Sequence, residues 1–193
     1  MAGKKAFLPE KALEKAMNLF WERGYEGTSV EDLVQSTGLG RGSLYDTFGD
    51  KHALYLTALD RYCAWNRERM ETFRQQSGSI QEILTNLFQS YIDMLLDDPA
   101  RRGCFLVNAS VELAPFDSAV SQRVQAAHKD MEEMFYYLLI KAQMAGELAW
   151  TYDAHQFARF LLGTLISIRV LARAHAERSV LQDIVKTTLL VFH

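Results

Sequence analysis

The chain has 193 residues, of which 49% are hydrophobic and 23% charged, with three prolines and eleven glycines. This composition excludes a disordered chain, because enough apolar surface is present to offset the entropy of ordering, and it disfavours a turn-rich β-sandwich or barrel. Two cysteines are too few for a disulfide scaffold, and a net charge of −3 provides no overall basic field, so any nucleic-acid binding must come from a local element.

The first 50 residues predict three helices, of which the second and third are short and joined by a glycine-bearing turn. Gly24 is placed to end the first helix in the left-handed conformation, and Thr28 with Glu31 has the spacing of a capping box for the second. The third helix is predicted over residues 41–48. The inward-facing positions of the three helices are Leu13, Met17, Phe20, Val30, Leu33, Val34, Leu44 and Phe48.

The remainder of the chain predicts longer helices that end at proline, glycine or aspartate. A fourth helix begins after the N-cap Asp50 and reaches Thr72, and a fifth begins at a capping box formed by Ser79 and Glu82. The fifth helix has a wide apolar stripe, formed by Ile80, Ile83, Leu84, Leu87, Phe88, Tyr91, Ile92 and Leu95. Further helices are predicted over residues 103–113, 118–145, 154–178 and 180–192, the last two with Asp153 and Ser179 as N-caps. No segment alternates with period two, so the predicted fold class is all-α.

The N-terminus and the apolar runs predict a soluble, cytoplasmic protein. The N-terminal residues MAGKKAFLPEKA lack the apolar core of a signal peptide behind their lysines. The longest apolar run near the C-terminus, residues 160–168, is well short of the ~20 residues that span a bilayer. Cytoplasmic thiols are reduced by default, and no membrane partner is expected.

Residues 24–51 have the properties of a helix-turn-helix that reads DNA. A short rigid helix, held from behind by Leu44 and Phe48, fits a major groove about 12 Å wide. Gly40 and Gly42 remove side-chain bulk at its N-terminus, where free amides and the helix dipole attract phosphate oxygens.

The segment GYEGTSVEDLVQSTGLGRGSLYDTFGDKHALY, residues 24–55, resembles the DNA-binding domain of the TetR family of transcriptional regulators. The shared features are the entry GYEGTS, the core GLGRGSLYDTF and the start of the fourth helix, DKHALY. The close match covers residues 11–55. The resemblance implies a three-helix helix-turn-helix domain, predicted over residues 1–60. It also implies a larger helical domain for effector binding and dimerisation, predicted over residues 61–193.

The resemblance also implies roles for single residues at DNA. Tyr45 and Lys51 would each hold a phosphate, and Thr28 would contact a phosphate at the start of the second helix. The residues placed where the recognition helix of the family meets bases and phosphates are Arg41, Gly42, Ser43 and Thr47. Asp46 departs from the residues that the family often has, and it either accepts from a cytosine amino group or points away from DNA.

The local charge favours binding as a dimer. Residues 1–62 hold eight Lys/Arg and nine Asp/Glu, so the affinity gained from counterion release is modest per subunit. Two subunits on a palindromic double-stranded operator double the phosphate contacts and place two recognition helices about 34–36 Å apart. The last two predicted helices are apolar on more than one side, which predicts a homodimer built on a four-helix bundle.

Cys104 is a candidate thiol sensor. It follows Arg101, Arg102 and Gly103 at a predicted helix start, where positive charge and free amides stabilise a thiolate. The segment GCFLVNASVEL resembles a subset of the family that includes electrophile or oxidant sensors. The alternative is that Cys104 is a small buried apolar residue, as free cysteines usually are. Cys63, on the fourth helix, is interpreted as packing.

A cavity for an apolar effector is expected between the helices of the larger domain. Its candidate lining residues are Trp65, Phe88, Tyr91, Met94, Asn108, Glu112 and Phe135. Asn108 and Glu112 either line this pocket or make a hydrogen bond between helices. His128, His155 and His175 have no metal-binding spacing and are interpreted as surface or helix-end residues. No cofactor, metal site or catalytic site is predicted.

The sequence therefore predicts a TetR-like dimeric regulator, a repressor released from its operator by a small-molecule effector. Electrophiles and oxidants are one candidate class of effector. The effector would stabilise a conformer in which the recognition helices are misplaced for DNA. Two alternatives remain: a thiol-dependent enzyme or redox carrier that uses Cys104, and a constitutive DNA-binding dimer without an effector.

Overall fold

The computed structural model describes residues 3–192, with side chains from residue 9 onward. Within these residues the regular structure is helical and contains no strand, which confirms the all-α prediction. The helices are α1 (Gly3–Arg23), α2 (Val30–Thr37), α3 (Arg41–Phe48), α4 (Lys51–Arg74), α5 (Ile80–Asp97), α6 (Phe105–Glu112), α7 (Ser118–Met144), α8 (Ala154–Arg173) and α9 (Arg178–Leu189), followed by a 3-10 turn over Leu190–Phe192.

The helix caps follow the predictions at three places. Asp50 accepts from the amide of Ala53 at 2.7 Å, Ser79 and Glu82 form the expected capping box, and Asp153 accepts from the amides of His155 and Gln156. Gly24 follows α1 with φ +78°, a conformation that suits glycine. A polar side chain or a glycine thus defines each of these helix ends.

The capping box of α2 was predicted one residue too early. The N-cap is Ser29, whose hydroxyl accepts from the amide of Asp32 at 3.1 Å, while the Asp32 carboxylate accepts from the Ser29 amide at 2.9 Å. Thr28 is fully buried and donates its hydroxyl to the carbonyl of Gly24 at 2.7 Å. The Ser29 hydroxyl and amide hold the pKa of Asp32 below its usual range. Thr28 and Glu31 therefore do not form the cap.

The break between α8 and α9 also differs from the prediction. α8 ends at Arg173 rather than 178, because His175 takes the left-handed conformation with φ +62°. α9 then begins with Glu177 as its N-cap, without a side-chain cap, and Ser179 lies inside the first turn.

The chain divides by its contacts into two compact units, here called the N unit and the C unit. The N unit consists of residues 1–65 and 104–124, and the C unit of residues 66–103 and 125–193. The N unit therefore includes α6, which lies far along the sequence. The functional division predicted at residue 60 stays a prediction.

The N unit is built around aromatic rings. Tyr55 of α4 is fully buried and packs edge-on against Phe20, Tyr25 and Phe105, with ring centroids 5.1–5.4 Å apart. On α1 the inner face is shifted from the prediction, because Ala12 and Ala16 are buried with Phe20 while Leu13 and Met17 are half-buried. Each fully buried aromatic ring contributes roughly 1.5–3 kcal/mol of hydrophobic stabilisation.

The C unit has a core formed by α5, α8, α9 and the C-terminal part of α7. The stripe of α5 is buried as predicted, at Ile80, Ile83, Leu84, Leu87, Phe88, Tyr91, Ile92 and Leu95. Phe88 and Phe135 stack with ring centroids 6.3 Å apart. The inner positions of α8 recur at helical spacing, as expected for a helix that packs on neighbours along one stripe.

Candidate nucleic-acid interface

The turn between α2 and α3 is held by local hydrogen bonds. Gly38 ends α2 with φ +75°, and its amide donates to the carbonyl of Val34 at 3.0 Å. Thr37 donates its hydroxyl to the carbonyl of Leu33 at 2.7 Å and accepts from the amide of Leu39 at 3.2 Å. These bonds fix the direction in which α3 begins.

α3 presents a polar, exposed face and is anchored from behind by Leu44, which is buried. The exposed residues of the helix are Arg41, Gly42, Ser43, Asp46 and Thr47, and Tyr45 is half-buried beside them. Thr47 donates its hydroxyl to the carbonyl of Ser43 at 2.7 Å. Asp46 is exposed on the same helix as the other predicted contact residues, and its orientation toward or away from DNA stays a prediction.

The N-terminus of α3 is open. Gly40 is the N-cap and supplies no side-chain cap, so the first amides of the helix face outward with the positive end of its dipole. A Cβ added at Gly40 or Gly42 would meet nothing within 4 Å. The two glycines therefore leave room for a group as large as a phosphate at this helix end.

Two cations flank this helix. The Arg41 guanidinium lies 3.4 Å from the Glu31 carboxylate and 5.7 Å from the Tyr45 ring centroid. The Lys51 ammonium lies 4.1 Å from the centroid of the Tyr25 ring. Cation–π contacts of this kind hold an ammonium in place without neutralising its charge. Tyr25 had not been predicted as part of the site, although it stands in the GYEGTS motif.

Thr28 is placed differently from the other predicted contacts. It is fully buried, whereas Ser29 is exposed at the same helix start. A buried hydroxyl that already donates to Gly24 is poorly placed to hold a phosphate. Ser29, whose exposure follows from its position as N-cap, is the residue of this pair that the structure presents to the surface.

The segment from Cys104 to Val124 completes the N unit. The Glu112 carboxylate accepts from the amide of Glu26 at 3.0 Å, and a Cβ at Gly24 would lie 2.7 Å from its Oε2. Asp117 pairs with His52 of α4. Backbone amides, that of Val120 above all, and then His52 lower the pKa of the Asp117 carboxyl. Glu112, proposed for an effector pocket or an interhelical bond, thus binds the turn after α1.

Comparison with known proteins gives the same assignment for both ends of the chain. Residues 12–58 match the family described as bacterial regulatory proteins, tetR family, and residues 81–188 match the tetracyclin repressor-like C-terminal domain. The uncharacterized HTH-type transcriptional regulator YezE of Bacillus subtilis is 32% identical over 192 residues, which covers 99% of each chain. The chain belongs to the TetR family of transcriptional regulators.

Two further TetR-family proteins are informative. The HTH-type transcriptional repressor ComR of Escherichia coli is 31% identical over 186 residues, covering 96% of this chain and 89% of ComR. A cysteine mutant of the regulator CifR, solved with a 26-base-pair operator DNA, is 27% identical with a TM-score of 0.85. That comparison covers 93% of this chain and 94% of CifR. This chain is accordingly a DNA-binding transcriptional regulator of the TetR family.

The residues predicted to line an effector pocket fall into both units. Trp65, Asn108 and Glu112 belong to the N unit, where Trp65 packs against Tyr62 with ring centroids 5.6 Å apart. The C unit holds Phe88, Tyr91, Met94 and Phe135. The pocket stays a prediction.

Three polar positions were missed or misjudged in the sequence. His128 is half-buried in the middle of α7, and its Nε2 is buried. Arg169 is only 2% exposed, and Asn66 is buried as well. The burial of Arg169 could have been predicted from helical spacing. On α8 it falls on the same buried stripe as Leu165, Ile168 and Ala172.

No helix in residues 3–192 is long and apolar enough to cross a membrane. Among the side chains from residue 9 to 192, no group of three or more His, Cys, Asp or Glu is placed to hold a metal ion.

Replacement of Gly42 by alanine separates stability from DNA binding. Gly42 lies in helical conformation with open space around it, so Gly42→Ala is expected to stabilise the protein by roughly 0.5–1 kcal/mol. The same methyl group occupies the space through which we expect a phosphate to approach, so operator affinity should fall. Urea unfolding and operator titration measure the two effects. A variant that is more stable and binds operator as tightly as wild type would contradict this placement of the DNA.

Proposed function

We propose that the chain is a dimeric repressor that binds a palindromic operator through α3 and is released by a small-molecule effector. The observation that carries the proposal is the polar, open N-terminal face of α3, between Arg41 and Lys51. The repressor role is supported by the similarity to ComR, which is a transcriptional repressor. Operator binding is supported by the similarity to CifR, which has been solved with operator DNA. Arg41, Gly42, Ser43, Tyr45, Thr47 and Lys51 are the proposed contacts.

The proposed dimer interface is the outer face of α8 and α9. Phe160 and Val180 are 47% and 45% exposed, and they line a groove of about 710 Å³ between the two helices. Val170 and Leu190 are further exposed apolar residues of the same segment. Exposed apolar side chains concentrated in this way mark an association surface, and a second copy of the two helices would complete a four-helix bundle.

The direct test is binding of the purified protein to the DNA that flanks its own coding sequence. Fluorescence anisotropy with labelled fragments should identify one palindromic site bound by two subunits, with an affinity that falls steeply as salt rises. Binding of equal strength to every fragment at physiological salt would contradict the proposal, because phosphate contacts alone carry no sequence information.

A second route for the effector signal runs through Cys104. Its Sγ accepts a hydrogen bond from the Tyr62 hydroxyl at 3.3 Å, and it stands at the N-cap of α6 without a side-chain cap. Of the two arginines that precede Cys104, Arg102 pairs with Asp98 at 3.0 Å. Cysteine mutants of the related regulator CifR have been solved in complex with operator DNA.

The thiol route is tested by alkylation with N-ethylmaleimide. Cys104 is only 2% exposed, so we expect slow reaction in the folded protein, with loss of operator binding once the adduct fills the space beside Tyr62. Cys104→Ser should keep operator binding after treatment, and Cys63→Ser is the matched control, because Cys63 is also buried. Equal loss of binding in Cys104→Ser and wild type would remove the thiol route and leave a reversibly bound effector.

A further inference from the structure

Asp46 lies on the side of α3 that is opposite to the protein interior. The helix is anchored by Leu44, which is 2% exposed, and by Phe48, which is half-buried. Asp46 stands two residues after the first anchor and two residues before the second, and each residue of an α-helix turns by about 100°. It therefore points about 160° away from both anchors. No other position of α3 is turned so far from the core.

The other exposed side chains of α3 flank this outward line. Arg41 and Tyr45 form one flank, with the guanidinium carbon 5.7 Å from the ring centroid. Ser43 and Thr47 form the other flank, where the Thr47 hydroxyl donates to the Ser43 carbonyl at 2.7 Å. The residue one turn before Asp46 is a glycine, which adds no side chain to the line. Asp46 is thus the one side chain that α3 directs straight away from the core.

The Asp46 carboxylate has no hydrogen-bond or ion-pair partner among the side chains of residues 9–192, which the structure describes. The two cations that flank α3 are engaged elsewhere, because Arg41 pairs with Glu31 at 3.4 Å and Lys51 lies over the Tyr25 ring. Asp46 also stands in the last turn of α3, where the helix dipole disfavours a negative charge. Folding stability therefore gives no reason for an acid here, and the side chain is directed to a partner outside the chain.

In a major groove the outward line of α3 faces the base edges. A helix with its side chains is about 10–12 Å across and the groove is about 12 Å wide, so the flanks of an inserted helix lie against the two phosphate walls. The line opposite the protein body then lies nearest the floor of the groove. Asp46 is also about 6 Å along the helix axis from Gly42, at whose end of α3 a phosphate is expected. The carboxylate therefore reaches bases without facing the phosphates.

The chemistry of a carboxylate restricts the base that it can contact. An ionised carboxylate accepts hydrogen bonds and donates none. In the major groove guanine offers only the acceptors N7 and O6, thymine offers the acceptor O4 and a methyl group, and adenine offers its amino group beside the acceptor N7. Cytosine offers its N4 amino group alone. A carboxylate on the floor of the groove therefore favours cytosine over the other three bases.

We propose that Asp46 selects the operator sequence by accepting a hydrogen bond from the N4 amino group of one cytosine in each half-site. This inference rests on the proposed binding of a palindromic operator through α3, and it adds a base-reading residue to the contacts of that helix. Tyr45 and Lys51 hold phosphates and set the position of the helix, whereas Asp46 contributes to the choice of sequence. The contact also acts against wrong sites, because beside guanine or thymine the carboxylate meets another acceptor.

The test compares the sequences that the full-length protein selects from a random library of double-stranded oligonucleotides. Wild type should select a palindrome with a cytosine in each half-site that Asp46→Ala no longer requires, while the other selected positions stay the same. Replacing both cytosines should lower the affinity of wild type at least about tenfold, and that of Asp46→Ala by less than about threefold. Because Asp46 is exposed and opposes the helix dipole, Asp46→Ala should be at least as stable as wild type.

A probe of the single contact is the selected operator with pyrimidin-2-one in place of each of the two cytosines, which removes the N4 amino group. Wild type should bind this operator at least about tenfold more weakly than the unmodified one, whereas Asp46→Ala should bind both within about threefold. The comparison between the two proteins separates the lost contact from any change in the DNA duplex itself. Because the probe is also applied to wild type, the contact is tested even if the variant does not fold.

Glu22→Gln is the matched control, because Glu22 is an exposed acid on α1 and its replacement removes one negative charge from the same unit. It should select the same sequence as wild type. The proposal is wrong if Asp46→Ala selects the same palindrome as wild type, if it loses a preference for a base other than cytosine, or if wild type binds the modified and unmodified operators equally. A wild-type protein that selects no palindromic sequence would instead remove the proposed function itself.

Discussion

The double variant Tyr45→Phe/Lys51→Ala removes two proposed phosphate contacts from each subunit. It is expected to lower operator affinity at least about 100-fold. A hydrogen bond to a charged group contributes roughly 1.5–3 kcal/mol, and a dimer on its operator loses four such contacts. Because phosphates carry no sequence information, the preferred operator sequence should not change. The salt dependence should become shallower, by about one charge for each Lys51 removed. Anisotropy titrations at several salt concentrations measure both quantities.

The control for this variant is Lys129→Ala. Lys129 is an exposed lysine of α7 that pairs with Glu133 at 3.6 Å, and its loss should leave operator binding unchanged. Arg41→Ala is informative beside it, because a guanidinium that reads a guanine edge contributes roughly 1–3 kcal/mol of discrimination. If the double variant binds as tightly as wild type, α3 does not sit in the major groove as proposed.

The double variant Phe160→Glu/Val180→Glu places two charges on the outer face of α8 and α9. It is expected to convert the protein to a monomer. Both positions are about half exposed in the single chain, so the fold of one subunit should tolerate the change. In the dimer each charge would be buried without a partner, at a cost of several kcal/mol per ion. Sedimentation at micromolar concentration should show one subunit, and operator affinity should fall because each half-site is then bound alone.

Met144→Glu provides the matched control, since Met144 is 77% exposed on α7 and lies outside the proposed interface. It should remain a dimer and bind operator normally. A double-glutamate variant that sediments as a dimer would show that another surface joins the subunits.

Sequence patterns were most reliable where one local interaction decides the outcome. The α5 stripe, the capping box at Ser79 and the span of α3 follow from spacing over a few residues, and the structure agrees with all three. At α2 two hydroxyl residues stand side by side, and spacing alone could not choose between Thr28 and Ser29. The choice depends on the Thr28 hydroxyl reaching the Gly24 carbonyl, which is a property of the turn geometry.

The buried polar positions that were missed depend on contacts between distant segments. Whether His128 and Arg169 face solvent is decided by the helices packed around them, and single-helix periodicity reports only which residues share a face. Likewise, the spacing of Asn108 and Glu112 indicated a shared helix face, but the carboxylate bonds an amide 86 residues earlier in the chain. Pairings of that range have no local sequence signal.

The two-part composition of the N unit has a consequence for synthesis. When a growing chain has reached residue 103, helices α1, α2 and α3 have all been synthesised. The Phe105 ring that packs against Tyr55 and the carboxylates of Glu112 and Asp117 have not. The N unit is complete only after about twenty more residues, and closing so long a loop slows its folding. A chain released early from the ribosome would therefore lack the contacts that hold α4 and the turn that leads from α1 into α2.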